Sequence, residues 1–142
     1  MRCEERRAEC PTHTQHIVNL SAYRWAMETL GGIADMRLLD AACGTGYGSF
    51  ALATRARSVV GVDRDFPTVR EASRRYHQSN LRFLTMDCGA VAFEDATFDA
   101  VVSFETIEHL NDDRQFLREV TRILTPDGCL VLSTPHGKAI GA

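Results

Sequence analysis

The residues of this chain that are best placed to do chemistry are Asp40 and three glycines that follow it at alternate positions, Gly44, Gly46 and Gly48. They continue an apolar run and lead into a helical stretch. Glycine permits positive φ and close approach of the backbone, and the helix that follows offers free N–H groups, so this loop predicts a nucleotide-type cofactor site. The dinucleotide pattern G-x-G-x-x-G would need its third glycine at position 49, which is Ser49.

Two acids stand where neighbouring strands of such a site would end. Asp40 is expected to accept hydrogen bonds from loop N–H groups or from an ammonium group of the ligand. Asp63 ends a second apolar run, and a carboxylate there can hold a ribose diol through charge-assisted bonds of roughly 1.5–3 kcal/mol each. Arg64 would then shape the adenine edge. The alternatives are a loop-stabilising acid at position 40 and an exposed strand-end acid at position 63.

A third group of chemical interest is the run from Phe104 to His109. If this run is helical, Glu105, Glu108 and His109 stand at i, i+3 and i+4 and share one face. Two carboxylates and an imidazole there could bind a hard divalent cation. The alternative is that Glu105 lines a cofactor site and His109 makes only local contacts.

The elements that would position these residues alternate along the chain. Helical periodicity predicts a first helix over 15–30, ended by Gly31-Gly32, and residues 1–14 are predicted to be a flexible leader. Strands alternating with helices predict a parallel sheet with helices on both faces. The predicted strands are 36–41, 58–63, 81–86, 98–103 and 129–134, and the later helices are 46–56, 66–77 and 112–124.

Composition excludes several classes of protein. The 142 residues suit a single domain, and a net charge of −3 gives no general attraction for extended nucleic acid. The apolar runs are of strand length, so no membrane span is predicted. Five cysteines without a C-x-x-C pair indicate a reducing compartment, and we expect a cytoplasmic protein.

In this order the motifs resemble the class I S-adenosylmethionine-dependent methyltransferases. The resemblance runs from Leu38 to Pro135 and is carried by five segments: 38–48, 58–63, 83–88, 98–105 and 124–135. It implies an α/β fold, a three-layer, Rossmann-like, doubly wound and mostly parallel sheet, which here lacks the family's C-terminal hairpin strands. The domain would cover 15–142, with truncation at its C-terminus as an open alternative, and a homodimer through the uncovered sheet edge is a further expectation.

The resemblance also implies roles for residues. Asp87 matches an acid that contacts the adenine amino group, Ala42 stands where glycine is usual, and Tyr23 matches a tyrosine placed over the cofactor. The segment from Glu105 to His109 is similar to one that serves metal-assisted transfer in ubiquinone-pathway and small-RNA methyltransferases. We assign no metal on this basis. The predicted cofactor-binding residues are Asp40, Ala42, Cys43, Gly44, Gly46, Asp63, Arg64, Asp87, Cys88, Phe104 and Glu105.

The activity implied is transfer of a methyl group from S-adenosylmethionine to a small-molecule or glycan-type acceptor at oxygen, leaving S-adenosylhomocysteine. A hydroxyl acceptor needs a base, for which His109, Glu108 and His136 are the candidates. Two alternatives stay open at this point. One is a module that binds the cofactor but needs a partner or a further C-terminal segment for catalysis, and the other is an NAD(P)-dependent oxidoreductase.

Overall fold

The computed structural model describes residues 13–135, and their side chains from residue 20 onward. Within that range a parallel sheet lies between helices. The helices are α1 (His13–Leu30), α2 (Tyr47–Ala53), α3 (Phe66–Arg75) and α4 (Asp113–Ile123), with 3-10 turns at Ile33–Asp35 and Ile107–His109. The strands are β1 (Arg37–Ala41), β2 (Ser58–Asp63), β3 (Leu81–Thr85), β4 (Phe98–Phe104) and β5 (Leu124–Ser133).

The sheet has the order β3-β2-β1-β4-β5, and every pair of neighbouring strands is parallel. The strand order therefore reverses between β1 and β4. In doubly wound sheets ligands bind at this reversal, outside the carboxyl ends of the strands. The predicted three-layer α/β fold is confirmed. No helix of residues 13–135 combines the length and the apolar character that a membrane span requires.

Local sequence signals set the helix ends. Asp65 caps α3 by accepting a hydrogen bond from the Thr68 N–H at 3.0 Å, and Asp112 caps α4 by accepting one from the Gln115 N–H at 2.8 Å. Gly31, with φ +73°, follows the end of α1 as predicted. These local signals fix the residue at which each helix begins or ends.

Strand alternation divides the buried side chains between two faces. Leu38 packs with Leu52 and Ala26 on the face covered by α1 and α2, whereas Leu39 packs with Phe116 on the face covered by α4. Because consecutive residues of one strand serve opposite cores, β1 lies at the centre of the molecule.

The start of β5 differs from the prediction. The predicted helix ends at residue 124 and the predicted strand begins at residue 129, yet β5 begins at Leu124, which pairs with Phe98. An irregularity in the pairing then takes up the extra residues before Cys129 joins Ala100. Gly128 lies inside this irregularity. A side chain does not fit there, because a Cβ would come 2.9 Å from the Thr125 carbonyl oxygen.

Candidate functional site

A cavity of about 230 Å³ opens at the carboxyl edge of the sheet. Its walls come from the segments that follow β1, β2, β3 and β4, so four separate parts of the chain meet there. The lining residues are Ala42, Asp63, Arg64, Met86, Asp87, Cys88, Phe104, Glu105, Thr106, His109 and Leu110. The structure therefore brings together at one cavity most of the residues that the sequence predicts for cofactor binding. Their contacts with a cofactor stay predictions.

The glycine loop has three residues in the left-handed region, Ala42 with φ +63°, Gly44 with φ +54° and Gly46 with φ +85°. A Cβ at Gly46 would lie 2.8 Å from the Phe83 ring, so this glycine is needed for packing against the protein itself. A Cβ at Gly44 would meet nothing within 4 Å, so the loop is open at this residue. Cys43, Gly44 and Gly46 do not line the cavity, and only Ala42 of the loop does.

Asp63 joins the end of β2 to the glycine loop. One carboxylate oxygen accepts a hydrogen bond from the Gly44 N–H at 3.0 Å, and the other accepts one from the Asp65 N–H at 3.0 Å. An ionised carboxylate has about four acceptor sites, so two remain. Asp63 thus makes the contact with the loop backbone that the sequence predicts for Asp40, and it still faces the cavity.

Asp40 lies beneath the loop and is fully buried. Its carboxylate accepts a hydrogen bond from the Ser49 hydroxyl at 2.6 Å. The Tyr23 hydroxyl also donates to it, at 3.0 Å from one carboxylate oxygen and 3.1 Å from the other. Burial raises the pKa of Asp40 to about 6, although both hydroxyl bonds lower it; the charge of Asp63 adds to the rise. This environment suits the loop-stabilising interpretation, and direct contact of Asp40 with a ligand stays a prediction.

The Tyr23 side chain is buried beside Asp40 and does not line the cavity. Its ring meets the ring of Phe104, which does, with centroids 4.8 Å apart and planes at 82°. Contact of Tyr23 with a cofactor stays a prediction. Tyr23 supports the cavity from behind its wall.

The segment after β3 supplies the adjoining wall. The Asp87 carboxylate accepts a hydrogen bond from the Gly89 N–H at 2.8 Å, and the Met86 N–H donates to the Asp63 carbonyl at 3.0 Å. Burial raises the pKa of the Cys88 thiol, with a further contribution from the charge of Asp87. The thiol is therefore protonated at neutral pH, in keeping with an apolar wall residue.

The segment after β4 is not the continuous helical turn on which the metal hypothesis depended. Glu105 has φ +50°, its backbone N–H donates to the Ser133 carbonyl at 3.1 Å, and its carboxylate accepts a bond from the Ser133 hydroxyl at 2.7 Å. The 3-10 turn begins only at Ile107. Glu105, Glu108 and His109 thus do not share a helical face, and the described residues contain no group of three or more His, Cys, Asp or Glu side chains that could hold a metal ion.

The candidate bases lie in different places. His109 lines the cavity, and its Nε2 is 3.7 Å from Oε1 of Glu108. Glu108 does not line the cavity, and His136 lies outside the described residues. Three further lining residues, Met86, Thr106 and Leu110, have no role predicted from the sequence. Each directly adjoins a predicted residue, which is the one signal by which they could have been found.

Comparison with known proteins identifies relatives of this chain. Residues 39–132 match the family model described as a methyltransferase domain. A Mycolicibacterium smegmatis protein, named as a probable S-adenosylmethionine-dependent methyltransferase, is 40% identical over 70% of this chain and 38% of its own length. A Psychrobacter arcticus protein named ubiquinone biosynthesis O-methyltransferase is 35% identical over 72% of this chain and 42% of its own.

The fold has relatives among solved structures as well. The PH0226 protein from Pyrococcus horikoshii superposes with a TM-score of 0.73 and 29% identity, over 85% of this chain and 58% of that one. The chain thus spans less than two thirds of the length of each of these relatives, 38% of the Mycolicibacterium protein. The part matched by the family model contains most of β1, all of β2, β3 and β4, most of β5 and every residue that lines the cavity.

Proposed function

The chain belongs to the family of methyltransferase domains, and we propose that it binds S-adenosylmethionine at the carboxyl ends of β1 and β2. We propose further that it transfers the methyl group to an oxygen atom of a small-molecule or glycan-type acceptor. The observation that carries the proposal is Asp63, which binds the loop through the Gly44 N–H at 3.0 Å and also lines the cavity. The relatives named as S-adenosylmethionine-dependent and as O-methyltransferases support the cofactor and the acceptor atom.

The residues present fit this cofactor. Asp63 retains acceptor sites for the two hydroxyls of a ribose, and Asp87, with Met86 and Cys88, adds an acid and apolar surface beside it. Pockets for drug-sized ligands hold about 300–1,000 Å³, which is more than the enclosed volume of about 230 Å³. We therefore expect part of the cofactor to lie along the open side of the loop, where Gly44 leaves room for a backbone contact.

The protein's own contribution is alignment and proton removal. When bound, the cofactor supplies a methyl group on a positively charged sulfur. The cavity residues hold both reactants in line and exclude water. The alignment of the two reactants is the chief source of rate enhancement in such a displacement. His109, on the cavity wall, is the residue we propose to take the proton of an acceptor hydroxyl, and its Nε2 lies 3.7 Å from Oε1 of Glu108. Glu105 is held by Ser133 and shapes the wall.

We also propose that the chain resides in a reducing compartment, the cytoplasm. Among the described residues, Cys43, Cys88 and Cys129 are free thiols. Fractionation of cells with an antibody against the chain tests this.

Isothermal titration with S-adenosylhomocysteine, and with NADH as the comparison ligand, tests the cofactor proposal. We expect heat of binding with the first and none with the second; the reverse result would contradict the proposal. Turnover against candidate acceptors, followed by a mass increase of one methyl group, then separates an active enzyme from a module that binds without catalysis.

Asp63→Ala tests the ribose site. Loss of two charge-assisted bonds should weaken S-adenosylhomocysteine binding by about 2 kcal/mol or more, roughly 30-fold. Asp35→Ala is the matched control, since Asp35 is exposed in the turn before β1, at the opposite edge of the sheet. Equal affinity of the two variants would refute the role of Asp63.

A further inference from the structure

A buried polar network joins α1 to the glycine loop from behind the cavity wall. Asp40 of β1 accepts the Ser49 hydroxyl of α2 at 2.6 Å and the Tyr23 hydroxyl of α1 at 3.0 and 3.1 Å. All three side chains are buried. A buried carboxylate is costly unless it is hydrogen-bonded, so these hydroxyls are the groups that stabilise its charge.

The Tyr23 ring makes contacts on two further sides. A Cβ at Gly48 would come within 2.0 Å of this ring, so the ring fills the space beside the first turn of α2. Its edge-to-face contacts join it to Tyr47, at 5.9 Å between centroids, and to Phe104 on the cavity wall, at 4.8 Å. A single side chain of α1 thus touches the start of α2 and the end of β4.

We propose that Tyr23 is a positioning residue for the cofactor site: its hydroxyl, through Asp40 and Ser49, fixes the start of α2 and the glycine loop, and its ring holds Phe104 in the cavity wall. The inference rests on the proposed function in taking the ligand to be the methyl donor or its product. Carboxylates then hold both the loop and the helix that follows it, the loop at Gly44 by Asp63 and α2 at Ser49 by Asp40.

Ionisation of Asp40 controls this arrangement. The carboxylate can accept from both hydroxyls, whereas the protonated acid carries a donor of its own, so one hydroxyl has to turn away. The titratable groups that face the network are Tyr23 itself, Tyr47 of α2, Cys43 of the loop and Asp63 of β2. Burial and neighbouring negative charge hold the pKa values of Tyr23 and Cys43 above their ordinary values, so Asp40 is the network's own titrating group near pH 6.

The test is S-adenosylhomocysteine affinity from pH 5 to 8 in the wild-type chain, in Tyr23→Phe and in Ser49→Ala. Each variant removes one hydroxyl and leaves the ring or the helix in place. We expect wild-type affinity to fall as the pH drops through about 6. Each variant should bind about tenfold more weakly at pH 7, with its midpoint moved up by about one pH unit, because a bond that favours the ionised form is lost.

Tyr76→Phe is the matched control, because Tyr76 loses the same hydroxyl while its ring stays stacked on Phe50 at 4.9 Å between centroids. A carboxyl-carbon NMR titration of Asp40 without ligand supplies a readout that does not depend on the cofactor. We expect its midpoint to rise in Tyr23→Phe and not in Tyr76→Phe.

The outcomes separate the two proposals. No binding by the wild-type chain at any pH contradicts the proposed function, while the NMR titration still tests the network. Wild-type binding that Tyr23→Phe leaves unchanged in affinity and in pH midpoint overturns the inference alone. An affinity loss without a midpoint shift overturns it too, since packing by itself would give that result.

Discussion

Two aspartates flank the glycine loop in opposite environments. Asp63 lines the cavity and accepts backbone N–H groups, whereas Asp40 is fully buried and accepts only hydroxyl groups among the described side chains. Two hydroxyl bonds do not replace the full hydration of a carboxylate, so burial outweighs them and the pKa of Asp40 rises to about 6. Folding therefore favours the neutral form of Asp40, and the proposed positioning role uses the ionised form.

The free energy of unfolding should therefore depend on pH through the ionisation of Asp40. Since the pKa of Asp40 is about 6 in the folded chain and an ordinary 3.8 when unfolded, its favourable contribution is full below pH 4 and is lost as the pH rises through 6. Asp40→Asn removes this titration. In urea unfolding, the stability of wild type relative to Asp40→Asn should fall by about 2 kcal/mol between pH 4 and pH 7.

Asp35→Asn serves as the control, because it makes the same chemical change at an exposed aspartate in the turn before β1. A difference for Asp40→Asn that is flat, or that grows with pH, would show that the buried carboxylate does not hold a raised pKa.

At the scale of elements, the order of strands and helices could be predicted from the sequence because each has a local signal. Apolar runs mark the strands, and Asp65, Asp112 and Gly31 mark helix ends. The extent of β5 could not be predicted, because Leu124 pairs with a distant residue, Phe98, and no local pattern records that pairing. Similarly, the left-handed backbone of Glu105 depends on Ser133 and breaks the helical spacing that the sequence suggested.

One side chain of α4 anchors the long connection between β3 and β4. Arg122 donates to the carbonyl of Phe93 at 2.6 Å and to that of Val91 at 3.1 Å, and its guanidinium also pairs with Glu119 and Asp95. The same connection supplies the cavity residues from Met86 to Cys88. Because these carbonyl partners are backbone groups, Arg122 holds the backbone of the connection in place whatever side chains the connection carries.

Arg122→Met should therefore speed amide hydrogen exchange across residues 91–95 and weaken S-adenosylhomocysteine binding, with α4 itself retained. The matched control is Arg118→Met, because the Arg118 guanidinium donates to Gln115 of the same helix and so stays on α4. Hydrogen exchange followed by mass spectrometry measures the effect. Equal protection of this connection in the two variants would contradict the anchoring role of Arg122.

At the scale of the molecule, the site is partly visible in the sequence and partly not. Residues at or just after strand ends, such as Asp63 and Asp87, could be placed at the cavity, since the carboxyl ends of parallel strands meet at one edge. The contact of Tyr23 with Asp40 joins residues 17 positions apart through the packing of α1, and nothing in the local pattern of either residue indicates it. A homodimer through a sheet edge stays a prediction.

The two cores share the strand β1, and this predicts that the chain unfolds as one unit. Leu38 and Leu39 are adjacent and at most 1% exposed, yet they point into the α1–α2 core and the α4 core respectively. Leu38→Ala and Leu39→Ala are thus the same deletion made on opposite faces. Each should lower the free energy of unfolding by about 2–5 kcal/mol.

Trp25 in α1 gives a fluorescence signal from one face, while far-ultraviolet circular dichroism reports all helices and strands. In both variants the two signals should give the same urea midpoint, because loss of either core removes support from the shared strand. A Leu39→Ala protein that loses ellipticity first and keeps the Trp25 signal would mean that the faces unfold separately. The cavity, whose walls come from segments packed on both faces, would then lose its shape before the α1 face unfolds.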